Sequence, residues 1–294
     1  MGRVLVIGAA YVDVVINVQR LPQSGEDVAG EWRSTQVGGS AFNVQRALTY
    51  AGVTADLLAP IGRGEHATIV RSTFDRLKIP IRLEDSRADN GWDISFVEAT
   101  GERAFLSISG VERYWQAAWF SRLDLAAYDY VYLSGYELED PQAAAVILTA
   151  LQRHPQLRVL FDTSPRVSQL APAVIEQLIR PGVIIHGNAV EIQQLGAPTE
   201  TYQAIAQRLN AQTEAPVVVT LDAQGCYYVD HGVGTMVPGE ATQVVNTIGA
   251  GDTHCGGLLA ELATGHAVAT AVQRANQLAA RVVAQRAGAL ERQS

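Results

Sequence analysis

Lysine is nearly absent from this chain: of 22 Lys and Arg residues, only Lys78 is a lysine. A phosphate-binding loop of the Walker type needs a lysine behind a glycine-rich turn. Lys78 sits in Arg76-Leu77-Lys78-Ile79-Pro80 with no glycine before it, so that loop is excluded. Cysteine is scarce as well. Cys226 and Cys255 are too few for a disulfide framework or a Cys-rich zinc site, and they suit a reducing, cytoplasmic compartment. No apolar run reaches the roughly 18 residues of a membrane span; the longest lies around 143–151. The start, Met1-Gly2-Arg3-Val4-Leu5-Val6-Ile7-Gly8, reads as a strand entering a turn. It is too short an apolar stretch for a signal peptide, and no cleavage site follows. Basic charge is in deficit, 22 against 30 acidic residues, for a net −8. That argues against nucleic acid or an anionic membrane as partner.

What is present is globular composition, 48% apolar and 18% charged, which excludes a disordered chain. The 294 residues allow one large α/β domain or two small ones. Short, nearly continuous apolar runs at 4–7, 55–59, 130–133, 158–161, 183–185 and 216–221 suit strands buried on both faces of a parallel sheet. Helical stretches at 41–51, 66–77, 141–153, 173–179 and 201–212 alternate with them, the pattern of βαβ units. Ligands of such sheets bind at the carboxyl ends of the strands. Two segments, 26–37 and 92–109, read as antiparallel instead. The second is a hairpin with its turn at Ala99-Thr100-Gly101-Glu102, and the two make either a small lid sheet or an edge extension of the main one. Residues 250–287 are nearly all helix-forming, with breaks expected at Gly256-Gly257, Gly265 and Gly288. No interdomain linker or internal repeat is visible.

Three stretches carry candidate chemistry. Asn246-Thr247-Ile248-Gly249-Ala250-Gly251-Asp252 places small residues where a turn meets a helix start, so that free N–H groups converge on an anion. A carboxylate in such a turn repels phosphate unless it has another task. Asp252 fits a base that takes the proton of an attacking hydroxyl; otherwise it is a helix-start aspartate. Gly38-Gly39-Ser40-Ala41-Phe42-Asn43 also opens a helix. Its glycines admit close backbone approach and Asn43 offers donor and acceptor to a polyol, or Ser40 is simply an N-cap. Gly8-Ala9-Ala10-Tyr11-Val12-Asp13 lacks the dinucleotide glycine pattern. Asp13 there is either an acceptor for sugar hydroxyls or a solvated turn residue.

Taken together and in this order, these stretches resemble the ribokinase-like (PfkB) family of carbohydrate and nucleoside kinases over almost the whole chain. Leu21-Pro22-Gln23-Ser24-Gly25-Glu26, Asn188-Ala189-Val190-Glu191, Thr220-Leu221-Asp222-Ala223-Gln224-Gly225 and Ala275-Asn276 are similar to further family motifs. The resemblance implies a doubly wound, mostly parallel sheet flanked by helices, forming one kinase domain over 1–294. A lid at about 14–37 and 92–109 would also serve as a homodimer interface. It implies ATP and Mg²⁺ as cofactors and transfer to a primary alcohol of a small sugar, with a nucleoside 5′-hydroxyl as the alternative acceptor. By the same resemblance Asp252 is the base, and Gly249, Ala250 and Gly251 form the anion hole. Asp13, Gly38, Gly39 and Asn43 hold the acceptor. Asn188, Thr220, Gly225 and Asn276 serve the nucleotide, and Glu191, with Asn188, organises the metal.

Some positions depart from the family. Asn246 stands where an aspartate is usual beside a monovalent-cation site, and a neutral amide binds a cation less well, which stands against K⁺ activation. Ser40 replaces a lysine that some members carry, which disfavours a phosphorylated acceptor. Trp92 and Phe96 are the residues that would face a nucleobase if the acceptor were a nucleoside. A silent sugar-binding protein on the same scaffold would have no need of Asp252, and a Rossmann oxidoreductase lacks its dinucleotide loop.

Overall fold

The computed structural model describes residues 2–100 and 102–291. Gly101, in the hairpin turn, lies outside them. In chain order the strands are β1 (Val4–Ile7), β2 (Tyr11–Val18), β3 (Gly30–Gly38), β4 (Ala55–Leu58), β5 (Pro60–Ile61), β6 (Leu83–Glu84), β7 (Trp92–Glu98), β8 (Arg103–Ile108), β9 (Tyr130–Ser134), β10 (Arg158–Asp162), β11 (Val183–Asn188), β12 (Val217–Thr220), β13 (Cys226–Asp230) and β14 (Val233–Val237). The helices are α1 (Ser40–Tyr50), α2 (Glu65–Leu77), α3 (Ala117–Phe120), α4 (Pro141–Gln152), α5 (Pro172–Leu178), α6 (Ala189–Gln193), α7 (Tyr202–Thr213), α8 (Ala250–Ala263) and α9 (Val268–Val283).

Two compact units emerge. The first comprises residues up to 8, 40–58 and from 115 onward; the second comprises 9–39 and 59–114. In the first, eight strands run in the order β14-β13-β12-β11-β10-β9-β1-β4. All neighbours from β12 to β4 are parallel, and the β13–β14 hairpin adds an antiparallel edge. This is the doubly wound sheet that the alternating pattern implied. Val4, Leu5, Val6 and Ile7 are all buried, as continuous apolar strands between two layers should be. After β1 the chain adds β4 on one side and later β9 on the other, and such a reversal of winding places ligands at the carboxyl ends of the strands.

Gly256 and Gly257 do not break α8. They lie inside it, and a Cβ on Gly256 would come 2.5 Å from Ala47 Cβ of α1, one on Gly257 2.9 Å from Ala275 Cα of α9. Two adjacent glycines let three helices approach closely, which local propensity read as weakness. The helix ends instead at Thr264-Gly265, where Gly265 has φ +87°.

The second unit holds a four-stranded sheet, β3-β2-β7-β8, and the short β5–β6 pair. The hairpin at β7–β8 is antiparallel as read, while β2 pairs with β7 in parallel. The turn after β1 is confined to residues 8–10: Tyr11 to Val18 form β2, and Asp13 lies within this strand rather than in the turn. Among the described residues no helix is long and apolar enough to cross a membrane.

Candidate active site

Asp252 occupies the first turn of α8, whose N-cap is Gly249 at φ +74°. A Cβ on Gly249 would lie 1.8 Å from the Gly288 carbonyl oxygen, so the turn admits only glycine. Gly251 is exposed, and a Cβ there would meet nothing within 4 Å. The turn therefore opens on free space at the positive end of a 14-residue helix. Asn246, buried beneath it, accepts the Ile248 N–H at 2.9 Å and donates to the Arg286 carbonyl at 2.7 Å. Its amide oxygen thus braces the turn.

The start of α1 meets this turn within the same unit. Asn43 Nδ2 donates to Asp252 Oδ2 at 2.8 Å, and the Ser40 side chain also hydrogen-bonds to the carboxylate. Asn43 is buried, and its Oδ1 has no partner among the described residues. Asp252 retains some accessible surface. Burial and then the nearby Asp162 charge still push its carboxyl up to about 6, against the opposing pull of Asn43, Ser40 and His186. A carboxylate near 6 is a stronger base than an ordinary aspartate and is still ionised at neutral pH.

Behind Asp252 lies a buried chain of polar groups. Asn276 Nδ2 donates to the Val237 and Pro238 carbonyls, which turns its Oδ1 toward His254 Nε2 at 3.1 Å. His254 therefore carries its proton on Nε2 and accepts on Nδ1 from His186 Nε2 at 3.0 Å. Burial, with His186 beside it, pushes His254 down to about 3, so it is neutral. His186 Nδ1 faces Asp162 Oδ1 at 2.8 Å, and Asp162 Oδ2 accepts from the Tyr132 hydroxyl at 3.2 Å. Cys255 Sγ is 3.1 Å from the same His186 nitrogen, and burial holds its thiol well above the usual range. Asp162, His186 and Cys255 have the ligand types for a metal ion, but hydrogen bonds among them already engage their ligand atoms. The 162–166 segment partly resembles a family segment and His186 has no metal-ligand spacing, so the sequence assigns Asp162, Thr163 and His186 no role. Their signal was the run of polar residues closing β10 and β11.

Asn188 and Glu191 form a capping box at the start of α6. Asn188 Oδ1 accepts the Glu191 N–H at 2.9 Å, and the Glu191 carboxylate accepts from the Asn188 N–H and side-chain amide and from the Thr163 hydroxyl. Burial, then repulsion from Asp162, raises the Glu191 carboxyl. A carboxylate oxygen keeps a second lone pair beside a hydrogen bond, so Glu191, repelled by Asp162, is of the ligand type that a hard cation such as Mg²⁺ takes. Thr220 ends β12 in register with Asn188. Gly225, at φ +97°, closes the following turn, where a Cβ would lie 2.2 Å from the Val237 carbonyl oxygen. Asn276 joins this wall through the same Val237–Pro238 backbone, with its amide engaged in the buried chain.

The structure thus brings Asn43 and Asp252 together in the first unit, and Asn188, Glu191 and Thr220 together at the strand ends. Asp13, Gly38 and Gly39 belong to the second unit. There a Cβ on Gly38 would lie 2.2 Å from Asp13 Oδ2, and Gly39 turns at φ +96° beneath the Ala9 carbonyl. Trp92 stacks on His66, ring centroids 5.0 Å apart and 7° from parallel, while Trp115 packs against Trp119 and Phe120.

The doubly wound sheet and the glycine turn with its buried carboxylate define the class, an α/β kinase fold. A sequence model of the pfkB family carbohydrate kinases matches residues 1–292, and the chain belongs to that family. "Uncharacterized sugar kinase YegV" of Escherichia coli (strain K12) is 34% identical over 288 residues, 97% of this chain and 89% of that protein. The ribokinase of Thermotoga maritima shares the fold with a TM-score of 0.84 at 19% identity, covering 98% of this chain and 95% of its own. Arabidopsis thaliana ribokinase, solved with ribose and ATP, matches with a TM-score of 0.80 at 18% identity over 97% and 94% of the two chains. The protein is a sugar kinase.

Proposed function

We propose that this kinase uses ATP to phosphorylate a hydroxymethyl group of a small sugar such as a pentose or ketohexose, with Asp252 as general base. The observation that carries it is the Asn43–Asp252 hydrogen bond at the open start of α8. Asn43 and Ser40 hold the carboxylate in place. Asp252 takes the proton of the attacking hydroxyl, and the N–H groups of Gly249, Ala250 and Gly251 bear charge on the transferring phosphoryl group. The Asp162–His186 pair sets the field around that carboxylate. Asn188, Thr220 and Gly225 border the nucleotide, and Asn276 positions that wall. Glu191 with Asn188 holds Mg²⁺, which when bound neutralises phosphate charge. Asp13, Gly38 and Gly39 hold acceptor hydroxyls.

A free sugar is preferred over a nucleoside on a specific ground. Trp92 and Phe96 alternate with Asp93 along β7, so they share the sheet face opposite Asp13 and build no aromatic slot beside it. The second unit, which includes 14–37 and 92–109, serves as lid and homodimer interface in this reading. The free, buried Cys226 and Cys255 favour a reducing cytoplasm.

The test is ADP release from Mg·ATP against a panel of sugars and nucleosides, with Asp252→Asn alongside. Acceptor-dependent release that falls by roughly 10²–10⁴ in the variant is expected. A variant as fast as the parent removes Asp252 from the chemistry.

A further inference from the structure

A second carboxyl accompanies Asp13. Asp93 on β7 is its direct neighbour in parallel register on β2, so the two side chains share one face, and Ser95 joins them two residues on. The opposite face belongs to α2, as the His66 ring on Trp92 shows. The row Asp13, Asp93, Ser95 therefore looks away from the one α-helix of this unit among the described residues. Ser95 is 1% exposed, yet its Oγ has no hydrogen-bond partner among the described residues, and neither has the buried Oδ1 of Asp93. Buried polar atoms are rarely left in that state unless a water or a ligand completes them. Asp93 also interacts with the Asp13 carboxyl, and burial raises the Asp93 carboxyl against the opposing pull of that contact.

We infer that Asp93 and Ser95 bind acceptor hydroxyls beside Asp13, and that the paired carboxyls confine the acceptor to uncharged polyols, rejecting sugar phosphates and sugar acids. The inference rests on the kinase reading above and names its acceptor class. Two carboxyls supply acceptors, and a serine hydroxyl supplies a donor and an acceptor, which matches a run of hydroxyl groups. An acceptor phosphate or carboxylate brought to the same row meets the like charge of Asp13 and Asp93, which selects against it. The missing basic residue at Ser40 points the same way from the other unit's sequence. Neither Asp93 nor Ser95 stands in any of the motifs by which the chain resembles its family.

The experiment compares the full-length parent with Asp93→Asn and Ser95→Ala. Steady-state rates with Mg·ATP are measured on D-ribose, D-fructose, adenosine, ribose 5-phosphate and gluconate, and folding is checked by circular dichroism. The expected result is use of an uncharged acceptor. Asp93→Asn should raise that acceptor's KM by about tenfold or more and Ser95→Ala by a few-fold, as for lost hydrogen bonds to a bound ligand. The KM for ATP should stay within about twofold in both, a split that general loosening of the fold would not give. An unchanged acceptor KM in both folded variants overturns the inference while leaving the kinase reading intact. So does a parent enzyme that prefers ribose 5-phosphate or gluconate. A parent that releases no ADP with any of the five overturns the sugar-kinase proposal and this inference together.

Discussion

At the scale of single residues, the decisive group is a carboxylate lifted by burial. Asp252 sits near 6 when folded, against about 3.9 for a free aspartate. In the proposed role of base it must be ionised, so kcat/KM is expected to fall as pH drops through about 6 and to level off above it. Asn43 donates to this carboxylate and holds it lower than it would otherwise be. Asn43→Ala should therefore move the acid limb to higher pH as well as slow the reaction, and a pH–rate profile of both enzymes checks the direction. Stability carries the opposite sign. A folded value above the unfolded one means that stability is lost as pH rises from about 4 through 6. Asp252→Asn should then melt no lower than the parent at pH 7.5, by calorimetry, while losing activity. Asn246 yields a further residue-level expectation. Its amide oxygen accepts the Ile248 N–H, so exchanging Na⁺ for K⁺ should change the rate by less than about twofold, since a neutral and already engaged oxygen attracts a cation weakly. Strong K⁺ activation would place the cation elsewhere or overturn the point.

At the scale of elements, two glycines of α8 with the same helical setting should behave in opposite ways. Gly256 lies against Ala47 and the Val44 carbonyl of α1, and a Cβ there would be 2.5 Å and 2.9 Å from them. Gly256→Ala should destabilise the protein by about 1–3 kcal/mol, overriding the helix propensity gained. A Cβ on Gly251 meets nothing. Gly251→Ala should keep the melting temperature and still reduce kcat, because its methyl group would stand where the transferred phosphoryl group needs the backbone. Thermal melts with steady-state rates on both variants separate packing from ligand space. This contrast also shows what was legible in the sequence. The apolar strand runs and the turn into α8 were readable because burial on two faces and a glycine turn into a helix each leave a local signature. The Gly256-Gly257 pair was misread as a break, because its reason is the approach of α1 and α9, which are remote in sequence. Strand β2 was missed for the same kind of reason: its pairing with β3 and β7 outweighs the turn signal of Gly8. Asp93 and Ser95 could be placed on the hairpin, but their common face with Asp13 depends on a register that no local pattern prints.

At the scale of the whole molecule, the sequence order of the motifs carried the family, while the assembly is decided by surface. The four-stranded sheet has β3 and β8 at its edges, and both carry large exposed apolar side chains: Trp32 at 65% accessible, Phe105 at 56% and Leu106 at 55%. Open strand edges bearing apolar groups invite pairing with another chain. A second copy is the occupant that the family resemblance implies, and a closed two-fold pair presents the same edges from both chains. Light scattering coupled to gel filtration at micromolar concentration is expected to give twice the 31.6 kDa chain mass. The double variant Trp32→Glu, Leu106→Glu should shift it to one chain mass, because a charge at each edge is desolvated in any contact that buries both. If acceptor binding depends on the sheet being held by its partner, the monomeric variant should also show a raised KM for the sugar with the KM for ATP unmoved. A parent that elutes as a single chain, with kinetics independent of protein concentration, would instead assign these side chains to a surface that functions alone.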